Sequence, residues 1–249
     1  MGKLNEKVAI VTGGSSGIGR AIAERFAKEG ANVIIVGRHE DSLKEVAGTN
    51  ASISYVVGDI TDSKVVEEVV TKAKKNFGRL DILVNNAGWC PVQPITEITV
   101  EDYDKAFNLD VRAVVDLTVK ALPMIMEAKG NIINLSSVGA THPAPNLSMY
   151  TGAKAAIENF TRVWALELAL KGVRVNAIAP GAVRTNIWNS TDLPEEEERA
   201  HEARVAESIP VQRFADPDEI ASVALFLVSD EASYVTGSVY AVDGGQGAL

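Results

Sequence analysis

The feature that most constrains this sequence is a glycine-rich turn, TGGSSGIG, at Thr12–Gly19. A run rich in Val and Ile, Lys7–Thr12, precedes it and is typical of a buried strand. Apolar residues then recur at helical spacing as far as Phe26. A strand, a glycine turn and a helix in this order favour phosphate binding by the free amides at the helix start. A tight turn that needs glycine only for its conformation is the alternative interpretation.

Strands and helices alternate along the rest of the chain. Apolar runs predict further strands at 32–36, 54–57, 81–84, 131–136, 173–179 and 238–242. Helical periodicity predicts helices at 41–47, after Asp62, at about 100–127, at 149–171 and at 216–227. Consecutive strand–helix units favour a parallel sheet with right-handed crossovers. We therefore predict an α/β fold in a single domain: a doubly wound, Rossmann-type parallel sheet of seven strands with helices on both faces.

Composition and charge argue against several classes of protein. The chain of 249 residues is 46% hydrophobic and 23% charged, which is typical of a globular protein. A net charge of -9 without a basic cluster argues against a nucleic-acid partner. One cysteine and three histidines offer no zinc-ligand spacing, so we predict no metal. The apolar runs are too short for a signal peptide or a membrane span, so we expect no membrane partner and a cytoplasmic location.

Polar residues follow the ends of the predicted strands. The carboxyl ends of parallel strands share one edge of a sheet, and ligands bind at that edge. Arg38 follows the second strand, where an acidic residue would bind the ribose hydroxyl of NAD and an arginine can pair with the 2′-phosphate of NADP. We therefore predict NADP, with NAD as the alternative; Arg38 as an ordinary solvated residue also stays open. Asp59 follows the third strand, where it can bond the adenine amino group.

A tyrosine and a lysine four positions apart, Tyr150 and Lys154, open the predicted helix at 149–171. At this spacing both side chains lie on one face of the helix. The ammonium favours the ionised phenol, so we expect a lowered pKa for Tyr150 and proton exchange with a substrate near neutral pH. Two polar residues on a solvated helix face are the alternative interpretation.

The segment at about 186–210 differs from the rest of the chain. It has few apolar residues and contains the acidic run Glu195–Glu198. Such runs are commonly solvated faces of helices. We predict that the segment is a lid over the substrate rather than a second domain.

Taken together, these motifs resemble those of the short-chain dehydrogenase/reductase family over essentially the whole chain. The turn at Thr12–Gly19 resembles the TGxxxGxG motif of the family, Asn85–Gly88 its NNAG motif, and Tyr150 with Lys154 its YxxxK motif. Ser137 stands thirteen residues before Tyr150, which is the usual interval in the family.

Two further positions extend the resemblance. Asn108 is similar to an asparagine that the family carries in the corresponding helix, and Pro180–Gly181 with Thr185 is similar to the segment that contacts the nicotinamide. The cofactor-binding residues that the resemblance implies are Gly13, Ser15, Ser16, Gly17, Ile18, Gly19, Arg38, Asp59, Ile60, Asn86, Ala87, Gly88, Tyr150, Lys154, Pro180, Gly181, Val183 and Thr185.

The resemblance implies hydride transfer between a nicotinamide cofactor and a small-molecule secondary alcohol or ketone. Tyr150 would exchange the proton, Ser137 would hold the substrate oxygen and Lys154 would bind the nicotinamide ribose. Asn108 would anchor a water that relays protons from Lys154. Ser136 competes with Ser137 for the serine role, and only the interval favours Ser137.

The family's substrate is bound by the loop after NNAG, the segment between Ser137 and Tyr150, and the lid. These segments are mostly apolar and aromatic here, so we predict a bulky apolar alcohol or ketone such as a hydroxysteroid. Ordinary loop packing is the alternative for each of these residues. The candidate substrate residues are Ser137, Tyr150, Trp89, His142 and Trp188, surrounded by Cys90, Pro143, Pro145, Leu147, Met149 and Ile187.

Two other functions are alternatives to this predicted alcohol–ketone oxidoreductase. A 3-oxoacyl-[acyl-carrier-protein] reductase of fatty-acid synthesis shares these motifs, but an acidic lid and a negative chain would repel its acidic carrier protein. A catalytically inactive nucleotide sensor would have no need of the Tyr150 and Lys154 pair. The resemblance also implies a homotetramer built on the helices at about 100–127 and 149–171.

Overall fold

The computed structural model describes residues 2–185 and 195–248, without the side chains of 195–201. In this part of the chain seven strands form one parallel sheet in the order β3-β2-β1-β4-β5-β6-β7. The predicted doubly wound fold is therefore confirmed. The strands are β1 Val8–Thr12, β2 Asn32–Gly37, β3 Ile53–Val57, β4 Ile82–Asn85, β5 Asn131–Leu135, β6 Arg174–Pro180 and β7 Val239–Val242.

Helices cover both faces of the sheet. The residues of α1, α2 and α8 pack in one core, and those of α3, α5 and α6 in the other. Because both faces of the central strands are buried, their sequences are continuous apolar runs rather than alternating ones. The helices are α1 Gly17–Lys28, α2 Glu40–Thr49, α3 Ser63–Phe77, α4 Val100–Phe107, α5 Ala113–Ala128, α6 Ser148–Leu168, α7 Glu195–Ser208 and α8 Pro217–Val228.

The order of the strands creates a crevice at the carboxyl edge of the sheet. From β1 the chain proceeds to β2 and β3 on one side, and later to β4 and β5 on the other. The loops after β1 and β4 therefore diverge, and ligands of open α/β sheets bind at such a switch point. The sheet thus brings the glycine turn next to Asn85–Gly88, as the motifs require.

The prediction of a single helix at about 100–127 is wrong in one respect. A π-helical turn at Asn108–Arg112 separates α4 from α5, and the Ala113 amide donates to the carbonyl of Asn108, five residues earlier. Apolar spacing did not indicate this turn because one extra residue rotates the helix face by only part of a turn. The extra residue has a consequence for the site, since it directs Asp110 into the interior, where the side chain is 1% exposed.

The acidic run Glu195–Glu198 opens α7, as expected for a helix. Positions 186–194, which complete the predicted lid, lie outside the described residues, and the lid remains a prediction. No helix in 2–185 or 195–248 is both long and apolar enough to cross a membrane.

Candidate active site

A cavity of about 930 Å³ opens at the carboxyl edge of the sheet. Its walls come from the loops after β1 to β6 and from the start of α6. All four predicted catalytic residues line this cavity, as does every predicted cofactor-binding residue except Gly19. Residues that are distant in sequence thus meet at the edge where the sequence predicted a ligand.

The predicted substrate residues divide into three groups. Trp89, Ser137, His142 and Tyr150 line the cavity, together with Cys90 and Leu147. The expectation for Pro143, Pro145 and Met149 was wrong, because these residues do not reach it. Both prolines lie on an exposed loop, and Met149 is on α6 one position from Tyr150, about 100° away around the helix. Trp188 and Ile187 lie outside the described residues.

The glycine turn is shaped for close approach by a phosphate. Gly13 and Gly17 have φ values of +65° and +52°, in the left-handed region that favours glycine. A Cβ at Gly19 would lie 2.3 Å from the Gly13 carbonyl oxygen, so Gly19 lies beneath the turn and does not line the cavity. The Ser16 side chain does not cap α1. The amides at the start of α1 are therefore open to the cavity, and the turn fits a dinucleotide.

Hydrogen bonds join the glycine turn to the NNAG segment. The Thr12 hydroxyl accepts from the amides of Asn86 and Ala87, both at 2.9 Å. In return the Asn86 side chain donates to the Thr12 carbonyl at 2.8 Å. These bonds fix the two loops on either side of the switch point relative to each other, so that the cavity is preorganised.

The end of the cavity expected to bind the adenosine contains Arg38 and Asp59. Arg38 is exposed and lines the cavity beside Ser15, His39 and Ser42. One carboxylate oxygen of Asp59 accepts from the amide and hydroxyl of Thr61, at 2.9 and 2.8 Å. These bonds hold the Asp59 carboxylate at the carboxyl end of β3, as predicted from the strand pattern.

Lys154 lies beneath Tyr150 and is almost fully buried. Its ammonium nitrogen is 5.4 Å from the centre of the Tyr150 ring. It donates to the Leu135 carbonyl at 3.1 Å and forms an ion pair with Asp110 at 3.1 Å. Burial lowers the pKa of Lys154, but Asp110, Tyr150 and Cys90 together outweigh this effect. The pKa is raised overall, so the ammonium is charged at neutral pH.

The expected lowering of the Tyr150 pKa was wrong for the protein without its cofactor. Burial of the phenol raises its pKa, and the Lys154 charge offsets this only in part. Cys90 and Asp110 raise the pKa further, whereas a hydrogen bond with Ser137 lowers it. Tyr150 is therefore protonated at neutral pH and is ready to donate a proton.

The two adjacent serines have different surroundings. Ser136 is buried and its hydroxyl donates to the Glu158 carboxylate at 2.9 Å. Ser137 lies beside Tyr150 and lowers its pKa, and its hydroxyl accepts from the Gly139 amide at 3.1 Å. The geometry therefore favours Ser137, in agreement with the sequence interval.

Asn108 reaches the rim of the cavity, but its side chain does not contact Lys154. The side-chain amide oxygen of Asn108 accepts a hydrogen bond from the Arg112 guanidinium at 3.2 Å, one turn along the helix. The sequence interpretation missed the residue that does contact Lys154, which is Asp110. An acidic residue inside the apolar run NLDVRAVV was a signal that could have identified it.

Cys90 is a buried thiol in the wall of the cavity. Burial raises its pKa to about 11, assisted by the Asp110 carboxylate. A thiol with this pKa is almost entirely protonated at neutral pH and therefore a weak nucleophile. Within the part of the chain that the structure describes, no three His, Cys, Asp or Glu side chains are grouped as a metal ion would need.

Comparison with known proteins gives the class to which this site belongs. The chain belongs to the short-chain dehydrogenase/reductase family: the family model described as enoyl-(acyl carrier protein) reductase matches residues 13–246. It is an NAD(P)-dependent oxidoreductase that acts on CH–OH or keto groups.

Individual relatives match over nearly their whole length. The 3-oxoacyl-[acyl-carrier-protein] reductase FabG of Thermotoga maritima is 41% identical, with 98% of each chain covered. A short-chain dehydrogenase/reductase of unknown function from Caenorhabditis elegans, solved with cofactor, has a TM-score of 0.94 at 34% identity, covering 99% of this chain and 97% of that one. A 3-ketoacyl-(acyl-carrier-protein) reductase from Brucella melitensis, complexed with NADH, has a TM-score of 0.91 at 36% identity, covering 98% and 99%.

Proposed function

We propose that the protein interconverts a secondary alcohol and a ketone, with Tyr150 as the group that exchanges the proton. One observation carries this proposal: a protonated phenol lies within the cavity above a charged lysine, beside the Ser137 hydroxyl. The alternative of an inactive nucleotide sensor gives no reason for this arrangement, because a sensor needs no proton donor.

Each side chain has a separate task in the proposed reaction. The hydride is supplied or accepted by the bound nicotinamide cofactor. Tyr150 donates its proton to the substrate oxygen during reduction and removes it during oxidation. Ser137 holds that oxygen by a hydrogen bond. Lys154 keeps a positive charge close to the phenolate that forms, and offers a free N–H group to the nicotinamide ribose.

We further propose a substrate with a bulky apolar body, such as a hydroxysteroid. Among the residues that line the cavity with Tyr150 are Trp89, Cys90, Val138 and Leu147, whose side chains are mostly apolar. Trp89 also lies against the Lys105 ammonium, which is 4.1 Å from its ring centre, so the indole is held in place at the mouth of the cavity.

Reduction of a 3-oxoacyl thioester is the second candidate. Two relatives favour it by name, FabG of Thermotoga maritima and the Brucella melitensis reductase. The net charge of -9 remains an argument against docking of an acidic carrier protein.

Oxidation of NADPH against a panel of ketones tests these substrate classes. We expect kcat/KM to be at least ~10-fold higher for cyclic apolar ketones, including ketosteroids, than for small hydrophilic ketones, since each methylene bound in an apolar pocket is worth a factor of this order. The panel also contains a 3-oxoacyl thioester on a carrier protein and on a short thiol. Turnover confined to the thioesters would establish 3-oxoacyl thioester reduction as the function. Absence of turnover with every compound of the panel would favour the inactive nucleotide sensor.

We propose NADP as the preferred cofactor, with Arg38 as the residue that binds its 2′-phosphate. Arg38→Asp should reverse the preference, because a carboxylate repels that phosphate and accepts from a ribose hydroxyl. Fluorescence titration of NADPH and NADH measures both affinities without turnover. Lys44→Ala is the matched control, since it removes an exposed cation of α2 that does not line the cavity. An unchanged ratio of the two affinities in Arg38→Asp would exclude Arg38 as the discriminating residue.

The homotetramer also remains a proposal. The helices predicted to build it carry large apolar residues that are exposed in the single chain, among them Val119 on α5 and Leu166 on α6, at 62% and 80%. Exposed residues of this kind support an interface between copies. The cytoplasmic location is likewise a proposal.

A further inference from the structure

Asp110 is a buried carboxylate that connects three parts of the site. It belongs to the π-helical turn Asn108–Arg112 and is 1% exposed. One oxygen lies 3.1 Å from the Lys154 ammonium, and the other accepts from the Trp89 amide at 3.1 Å. A single side chain therefore joins the catalytic lysine to the loop that forms the substrate wall.

The contacts of Lys154 fix its ammonium and still leave donors for a ligand. An ammonium has three N–H groups. One donates to the Leu135 carbonyl at 3.1 Å, and the Asp110 carboxylate forms an ion pair with the ammonium at 3.1 Å. Lys154 lines the cavity, so an N–H group without a hydrogen-bond acceptor is available there. Without Asp110 the flexible lysine side chain would have only the Leu135 carbonyl to fix it.

We propose that Asp110 is a positioning residue of the reaction: its carboxylate holds Lys154 in place under Tyr150 and favours the protonated phenol. The proposal rests on the roles assigned above to Tyr150 and Lys154. Asp110 itself lies below the cavity and is not among the side chains that line it.

The charges around Tyr150 support the second part of this proposal. The groups that affect its titration are Lys154 on α6, Asp110 on the π-helical turn and Cys90 on the loop after β4, with the Ser137 hydroxyl as a hydrogen-bond partner. The Asp110 carboxylate opposes the effect of the Lys154 ammonium on the phenol, although the effect of Lys154 is the larger of the two. Removing the carboxylate while Lys154 stays charged favours the phenolate and lowers the pKa of Tyr150.

Gly88 provides independent support for a fixed geometry. A Cβ at this position would lie 2.7 Å from the Asp110 oxygen and 3.2 Å from the Lys154 ammonium. The NNAG segment therefore ends in a residue whose lack of a side chain leaves room for the ion pair. Thr12 holds the same segment from the other side, through the amides of Asn86 and Ala87.

The test is Asp110→Asn, which keeps the size of the side chain and an acceptor for the Trp89 amide but removes the charge. The ionisation of Tyr150 is followed by ultraviolet difference absorbance without cofactor or substrate, after subtraction of the same titration in a Tyr150→Phe background. In the parent protein we expect no ionisation of Tyr150 below pH ~10, its ordinary pKa. In Asp110→Asn we expect the transition to move to lower pH, because a carboxylate that raises the pKa of Tyr150 is removed.

A second readout is the pH profile of ketone reduction. Because reduction needs the protonated phenol, its alkaline limb should move to lower pH by a similar amount in Asp110→Asn. Asp116→Asn is the matched control: it removes a carboxylate from α5 that pairs with Lys120 outside the cavity, and it should move neither transition. If Asp110→Asn does not fold, Asp110→Ser offers a smaller uncharged acceptor for the Trp89 amide.

The outcomes separate this proposal from the proposed function. A folded, uncharged variant in which Tyr150 ionises at the parental pH would overturn the role of Asp110, even if the enzyme is active. Loss of activity without a shift of the absorbance transition would make Asp110 a purely structural residue and would equally overturn the proposal. The absorbance titration needs no turnover, so its result stands even if the proposed reaction is wrong.

Discussion

Tyr150→Phe is expected to abolish alcohol–ketone interconversion while leaving cofactor affinity nearly unchanged. The substitution removes only the hydroxyl, which is the proton donor, and preserves the ring above Lys154. General acid–base catalysis typically contributes ~10²–10⁴-fold, so kcat should fall by at least ~10²-fold. Steady-state kinetics with a turned-over ketone measures kcat, and fluorescence titration measures the affinity for NADPH.

A control is available within the same chain. Tyr234 is fully exposed, and Tyr234→Phe should leave kcat and cofactor affinity unchanged. If Tyr150→Phe retained most of the parental kcat, another group would have to supply the proton, and the proposed mechanism would be wrong.

Gly19→Ala is expected to weaken cofactor binding strongly and to destabilise the protein. Its Cβ would be placed 2.3 Å from the Gly13 carbonyl oxygen and 2.4 Å from the Asn86 side-chain nitrogen, so the turn and the NNAG loop would both have to move. Overpacking of this kind costs about 1–3 kcal/mol in stability. We expect cofactor affinity to fall at least ~10-fold, because the amides that receive the phosphate move with the turn.

Gly48→Ala is the matched control for Gly19→Ala. Gly48 lies in α2, is exposed and has no other atom within 4 Å of the added Cβ. Alanine should therefore stabilise the protein by about 0.5–1 kcal/mol and leave cofactor affinity unaltered. Thermal unfolding and fluorescence titration measure both quantities. Equal cofactor affinity in the two variants would show that the contact at Gly19 does not shape the phosphate site.

Much of the fold could be predicted because its signals are local. β1 and β2 are uninterrupted apolar runs, as burial on both faces requires, and α3 begins where the Asp62 side chain accepts from the Lys64 amide. Alternation of strands and helices leaves few topologies for a parallel sheet. That topology then places the glycine turn, Arg38, Asp59 and the NNAG segment at one edge.

Other parts of the site were not predictable from local patterns. The direction of the Tyr150 pKa shift depends on burial, Cys90 and Asp110, which raise the pKa, against Lys154 and Ser137, which lower it. The sequence indicated only the effect of Lys154. Periodicity does not detect the π-helical turn, because the turn adds only one residue within an otherwise helical pattern. The exclusion of Pro143, Pro145 and Met149 from the cavity depends on the path of one loop.

The sequence by itself determined the parallel sheet, the family and the presence of a tyrosine above a lysine, because each depends on residue types at fixed spacing. Only the tertiary structure decided that Ser137 rather than Ser136 lies beside Tyr150 and that Asp110 holds Lys154. The physical reason is distance: a charge acts over a few ångströms of space, and the π-helical turn brings Asp110 that close to a lysine 44 positions away in the chain.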